Sequence, residues 1–197
     1  MSLLRTAVLA AALATSLVTA ACGTPARPAA APEPAAPSPA SSTAPASNIR
    51  QPESNDLVTE NSHEGARAFL FHYFDLTAYA LQTGDTEVLL GHLDGAAAEA
   101  ERAGRISAVY EEGGWILGGQ PKVKNVLITS PEGAGGAVSA LIPVNPGEYS
   151  AFGADGNVRE HRPFSPDGTI YTASVKYADG AWKITSLEET PGAELPE

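Results

Sequence analysis

The sequence holds one cysteine, Cys22, one methionine, and only 7% aromatic residues. A single cysteine excludes any disulfide within the chain, so a folded domain must stand on its apolar core alone. Lys and Arg number 12 against 23 Asp and Glu, giving a formal net charge of −11. Phosphate neutralisation needs clustered Lys and Arg, so nucleic acid is not expected as a partner. There is no internal repeat, no Gly-x-Ser-x-Gly elbow, no phosphate loop and no Cys–His pair. His63, His72, His92 and His161 are scattered, and only Asp75 stands at ligand spacing from one of them, so no metal site is expected. The "DGN" at Asp155 lacks the later acidic ligands of a calcium loop. Nothing in the sequence asks for a cofactor.

No segment has the roughly 20 strongly apolar residues of a membrane span. The apolar run that does exist, "TAVLAAALATSLV", is short and alanine-rich, with Arg5 before it and the small residues Thr19, Ala20 and Ala21 after it. That is the layout of a secretory signal over residues 1–21. The signal leads into Cys22, and "LVTAACGT" resembles the lipobox of bacterial lipoproteins, although Thr19 stands where leucine is commonest. The resemblance implies lipidation at Cys22 and a protein held at the extracytoplasmic face of the cell membrane. Two or more acyl chains, at about 0.8 kcal/mol per buried methylene, hold such an anchor firmly. An ordinary secreted protein with an incidental cysteine is the plainer alternative.

Residues 22–60 are dominated by Pro, Ala and Ser, and half of the 16 prolines lie between Pro25 and Pro52. Without aromatic residues such a stretch builds no core, and it reads as a disordered, polyproline-II-biased linker. At about 3.1 Å per residue it would reach on the order of 100 Å. The short "PARP" is all that speaks for a Pro-rich docking ligand instead.

Residues 61–190 have the length of one domain, with 191–197 as a flexible tail. Helical periodicity comes first and strand periodicity second, which predicts an α+β fold with N-terminal helices packed on a curved antiparallel sheet. The first helix spans His63–Gln82, with Asn61 and Glu64 as a capping box and Gly84 as its left-handed stop. Asp85 caps a short second helix in "TEVLLGHL". A third, within "AAAEAERAGRISAVYEE", buries Ala100, Ala103, Ile106 and Tyr110. Strands are predicted at Lys122–Thr129, Ala137–Pro143, Tyr149–Phe152, Val158–Arg162, Thr169–Tyr177 and Ala181–Leu187. Hairpin turns are predicted at Asp155-Gly156 and Asp179-Gly180. "GGWILGG" reads as a flexible corner seating Trp115.

Helices followed by a meander ending in "YADGAWKITSLEE" resemble the nuclear-transport-factor-2-like (SnoaL-like) cone fold. The stretches "GARAFLFHYFDLTAYALQTGDTEVL" and "VYEEGGWILGG" are similar to a family of actinobacterial lipoproteins known as a domain of unknown function. Relatives usually carry two cysteines at the start of the third helix, where this chain has "DGAAAEAE". The cone resemblance implies a pocket between the first helix and the sheet. Isomerase or dehydratase chemistry there would take His72 or Asp75 as base, with Tyr79 or Tyr110 donating to an oxyanion. The helical wheel instead puts His72, Asp75 and Tyr79 on the solvated face opposite Phe69, Leu70 and Tyr73. Tyr73, Tyr110, Trp115, Tyr171, Tyr177 and Trp182 could line a ligand pocket, against the plainer reading of ordinary packing. The expected function is therefore a non-catalytic module of the cell envelope that binds a small apolar ligand or an envelope protein. A pocket enzyme is the alternative.

Overall fold

The computed structural model describes residues 35–131 and 137–191. The expected signal peptide, Cys22 and the tail from residue 192 lie outside the described residues.

Helix α1 (His63–Thr83) begins at Ser62, whose side chain accepts the Gly65 N–H at 3.0 Å. The cap is therefore Ser62 and not the expected Asn61. Both residue types cap well, and the extended backbone of Ser62 after a 3-10 turn at Asp56–Thr59 decides between them. Gly84 closes the helix at φ 76°, donating to Ala80 O at 2.8 Å. Helix α2 is the single turn Glu87–Leu90, and Asp85 Oδ1 accepts the Glu87 N–H at 3.3 Å.

Helix α3 (Ala97–Glu111) buries Glu99, Ala103 and Ile106, while Ala100 is exposed and Tyr110 half-buried. The buried stripe is thus rotated from the expected one, with Glu99 in the place assigned to Ala100. Apolar periodicity cannot register a carboxylate on the inward face.

Eight strands follow: β1 (Trp115–Gly118), β2 (Lys122–Val123), β3 (Leu127–Ile128), β4 (Ala137–Asn145), β5 (Tyr149–Phe152), β6 (Val158–Arg162), β7 (Thr169–Ala178) and β8 (Ala181–Glu189). They form a mixed α+β domain with curled antiparallel sheet, but in two sheets and not one meander. One runs β1-β5-β6. The other runs β2-β4-β7-β8, with β3 also on β4. The "GGWILGG" corner is strand β1, pairing Trp115 with Phe152. The expected strand at Lys122–Thr129 is split into β2 and β3.

Alternation along β4 turns Val138, Ala140, Ile142 and Val144 inward, facing Tyr171, Ala173 and Val175 of β7 in one core. On β8 the inward set is Trp182, Ile184 and then Leu187, which breaks the period of two. The register explains it: Ser174 pairs with Ser186 and Val175 with Ile184, leaving Thr185 as the extra residue of a bulge. Bulges re-aim side chains and sharpen local curvature. The turn at Asp179-Gly180 has both residues at positive φ, 53° and 81°, as a type I′ hairpin requires.

Phe69, Leu70, Tyr73, Phe74 and Ala80 of α1 pack into the core of the larger sheet. Leu81 instead joins a smaller cluster with Ile106, Ile116, Tyr149 and Ala151. α1 therefore bridges both cores.

Residues 35–60 depart from the expected disordered linker. Ser38 and Ser47 exchange backbone hydrogen bonds at 2.9 Å, and three aromatic donors reach back to the segment. Trp115 Nε1 donates to Ser41 O at 2.9 Å, Tyr177 Oη to Thr59 O at 2.7 Å, and Trp182 Nε1 to Glu60 O at 2.9 Å. Few carbonyls of this segment are used by its own backbone, so they can accept from buried indoles that need a partner. The strap is held by the polar tips of aromatic residues, with no core of its own.

Candidate functional site

A cavity of about 340 Å³ is bounded by α1, α3 and strands from both sheets. Phe74, Thr77 and Leu81 reach it from α1, and Arg102, Arg105 and Ile106 from α3. Val144 of β4, Tyr149 of β5, Arg162 of β6 and Tyr171 of β7 complete its wall, with Glu160 and Glu189. It occupies the place where the smaller sheet peels away from the larger one, so neither core fills it.

The charged side of the cavity is organised around Glu99, which is only 4% exposed. Tyr73 Oη donates to Glu99 Oε2 at 3.1 Å, and Arg102 Nη2 lies 3.2 Å from Oε1. That second contact is an ion pair without hydrogen-bond alignment, so Oε1 has no hydrogen-bond partner among the described residues. Burial raises the Glu99 pKa above its ordinary value, although Arg102 and the Tyr73 hydroxyl act the other way. Burial likewise raises Tyr73, and the neighbouring Glu99 adds to it.

Beyond Glu99, the Arg102 guanidinium sits 5.4 Å from the Tyr171 ring centre, and Arg162 sits 4.2 Å from that of Tyr149. Both distances are those of cation–π contact. Tyr171 Oη donates to Glu189 Oε1 at 2.8 Å, and burial pushes its pKa to about 12, so at neutral pH it is a donor and not a base. Arg162 Nε pairs with Glu160 at 3.3 Å, and Arg105 with Glu101 at 2.9 Å on the open surface.

The residues singled out in the sequence are placed elsewhere, with one exception. Asp75 is exposed. His72 is half-buried with its ring 6.3 Å from His92, and burial lowers its pKa. Tyr79 donates to Asp85 Oδ2 at 3.1 Å. None of the three lines the cavity, and they do not converge on one another. Of the six aromatic residues expected to line a pocket, Tyr171 alone does so. Tyr73 lies behind it on Glu99. Tyr110 donates to Leu81 O at 2.7 Å, and burial raises its pKa to about 12. Trp115 stacks on Phe152 at 4.9 Å, and Trp182 meets Tyr177 edge-on. Tyr73, Tyr110, Trp115, Tyr177 and Trp182 are structural donors and packing groups.

The arginines and Tyr149 had no motif to announce them. Arg102 and Arg105 follow Glu99 and Glu101 on α3 as ordinary ion-pair spacing, and Arg162 belongs to a strand whose residues are all exposed. A second cavity of the same volume lies against the β5–β6 hairpin. There Asp155 and Arg159 already pair at 2.8 Å on the surface. Among the described residues no group of three or more His, Cys, Asp or Glu is placed to hold a metal ion. No helix of the described residues is long and apolar enough to cross a membrane.

Residues 36–188 match the family of unknown function DUF6318. The chain belongs to that family. The DUF6318 match begins at residue 36, so it takes in the Pro-rich strap together with the helices and sheets. No curated protein matches the sequence. Among solved structures, the chain is similar to the intermembrane space region of the chloroplast protein ARC6. That likeness has 17% identity and a TM-score of 0.41, and covers 64% of this chain and 93% of the other.

Proposed function

We propose that this DUF6318 protein is a lipoprotein of actinobacterial type, lipidated at Cys22 and displayed on the extracytoplasmic face of the cell membrane. Its domain is a cone-type, non-catalytic module that binds a small, largely apolar ligand. The cavity between α1, α3 and both sheets carries this reading: Phe74, Leu81, Ile106 and Val144 give it an apolar part, and Arg102, Arg105, Arg162, Glu160 and Glu189 give it a charged part. Apolar surface beside convergent polar groups is what a ligand site needs to hold and orient a small molecule. The "LVTAACGT" lipobox supports the anchor.

The isomerase or dehydratase alternative needs a base aimed into the cavity. His72 and Asp75 do not line it, and Tyr171 stays protonated. Glu99 is held behind Arg102 and Tyr73. The carboxylates that do line it, Glu160 and Glu189, are exposed at its mouth.

The test is tyrosine ring NMR on the full-length protein during titration with small apolar compounds. A ligand in the cavity shifts Tyr149 and Tyr171 and leaves Tyr177 in place, six residues and about 20 Å further along β7. Compounds that bind without moving Tyr149 or Tyr171 would overturn the assignment.

A further inference from the structure

The cavity is unusual for this chain in one respect. The protein has a net charge of −11 and only 12 Lys and Arg, yet Arg102, Arg105 and Arg162 come together on one side of a single cavity. They arrive from separate elements, α3 and β6, so helical spacing alone does not account for the grouping. Two of the three guanidinium groups lie over tyrosine rings, Arg102 5.4 Å from the Tyr171 centre and Arg162 4.2 Å from that of Tyr149. Glu99 sits beside Arg102 and Glu160 beside Arg162, and each fork has five donors. Ion pairing and ring contact thus hold both forks in place without exhausting their donors.

We propose that the cavity binds a small monocarboxylate with an aliphatic or aromatic body, its carboxylate held between the Arg102 and Arg162 forks and its body on Phe74, Ile106 and Val144. The proposal rests on the reading of this cavity as a ligand site. Spare donors select the head group. Each cavity arginine already has a glutamate partner, Arg102 with Glu99, Arg105 with Glu101 and Arg162 with Glu160, so the ligand is held by the N–H groups those pairs leave over and its own charge must be small. A phosphate ester brings about −1.5 to −2, which would meet repulsion from Glu160 and Glu189. The planar carboxylate matches the guanidinium edge in a paired, bidentate fashion. Size follows from the volume: about 340 Å³ is near the lower end of ligand cavities, so the body is short.

The experiment is isothermal titration calorimetry on the full-length protein in non-ionic detergent, with titration into empty micelles as the blank. The probes are straight-chain carboxylates from butyrate to octanoate and 3-phenylpropionate, each beside its primary amide, with phenylphosphonate as a dianion. At least one carboxylate is expected to bind tenfold or more tightly than its amide. Arg162→Gln should abolish that preference, the carboxylate losing far more affinity than its amide, and Arg162→Lys should restore part of it. Arg162 leads because its side chain is largely exposed and its replacement spares the fold, whereas Arg102→Gln disturbs buried Glu99. A preference retained in Arg162→Gln, or phenylphosphonate binding more tightly than every carboxylate, overturns the carboxylate assignment. Equal affinity for carboxylate and amide, with Tyr149 and Tyr171 shifted in the NMR spectrum, overturns the head group and leaves the cavity as an apolar site. Silence from every probe overturns both.

Discussion

The Glu99 carboxylate is nearly sealed from water, with Tyr73 donating to one oxygen and Arg102 beside the other. A buried ion pair is weak evidence of net stabilisation, but removing one partner strands the other at a cost of about 3–5 kcal/mol. The Arg102 side chain is 32% exposed, so water offsets part of that cost. Arg102→Ala is expected to lower stability by about 2 kcal/mol at neutral pH, read from the midpoint of urea denaturation. The pH dependence follows from the direction of the Glu99 shift. Its folded-state pKa lies above the ordinary 4.5, so its contribution is fully present below that value and is lost as pH rises. Removing Arg102 takes away the main influence opposing burial and raises the folded-state pKa further. The gap between variant and parent should therefore narrow as pH falls from 7 towards 4.5. A gap of constant size would show that Glu99 is not the group left unpaired.

Among the elements, the α1 terminus and the Pro-rich strap are the places where single residues decide the outcome. Gly84 has φ 76°, and a Cβ there would overlap the Tyr110 side chain. Gly95 has φ 80° with nothing within 4 Å of the same position. Gly95→Ala is expected to cost about 1 kcal/mol of backbone strain, and Gly84→Ala at least about 1 kcal/mol more. Thermal melts of the two variants would isolate the Tyr110 overlap. In the strap, Trp115→Phe keeps the stack on Phe152 and deletes the bond to Ser41 O. It should cost about 1 kcal/mol and speed proteolysis near Ser41–Ala44; an unchanged cleavage rate would mean that the indole does not hold the strap. Strands β5 and β6, the helix stop at Gly84 and the Asp179-Gly180 turn were legible because each rests on local chemistry. Strand β1 was not. Glycine pairs flank it, and its partner Tyr149–Phe152 lies more than thirty residues away.

For the molecule as a whole, the proposed anchor makes a direct prediction. Cys22→Ala should release the protein from membranes into the medium or leave it unprocessed, as read by fractionation and the mass of the N-terminus. A variant that is still cleaved normally and still membrane-bound would overturn the assignment. The membership of residues 36–188 in DUF6318 fixes the strap and the two-sheet body as one unit.

Composition and local pattern by themselves determined an acidic α+β chain with helices first, antiparallel hairpins after, no disulfide and one thiol beside a signal-like segment. They suffice for this because helix periodicity, strand alternation and turn chemistry act over a few residues. The cavity was decided only by the tertiary structure. Arg102, Tyr149, Arg162 and Tyr171 stand on four different elements. Their meeting depends on the chain dividing its strands between two sheets, a choice made by long-range pairing. Likewise, the inward turn of Glu99 follows from Tyr73 and Arg102 being there to receive it.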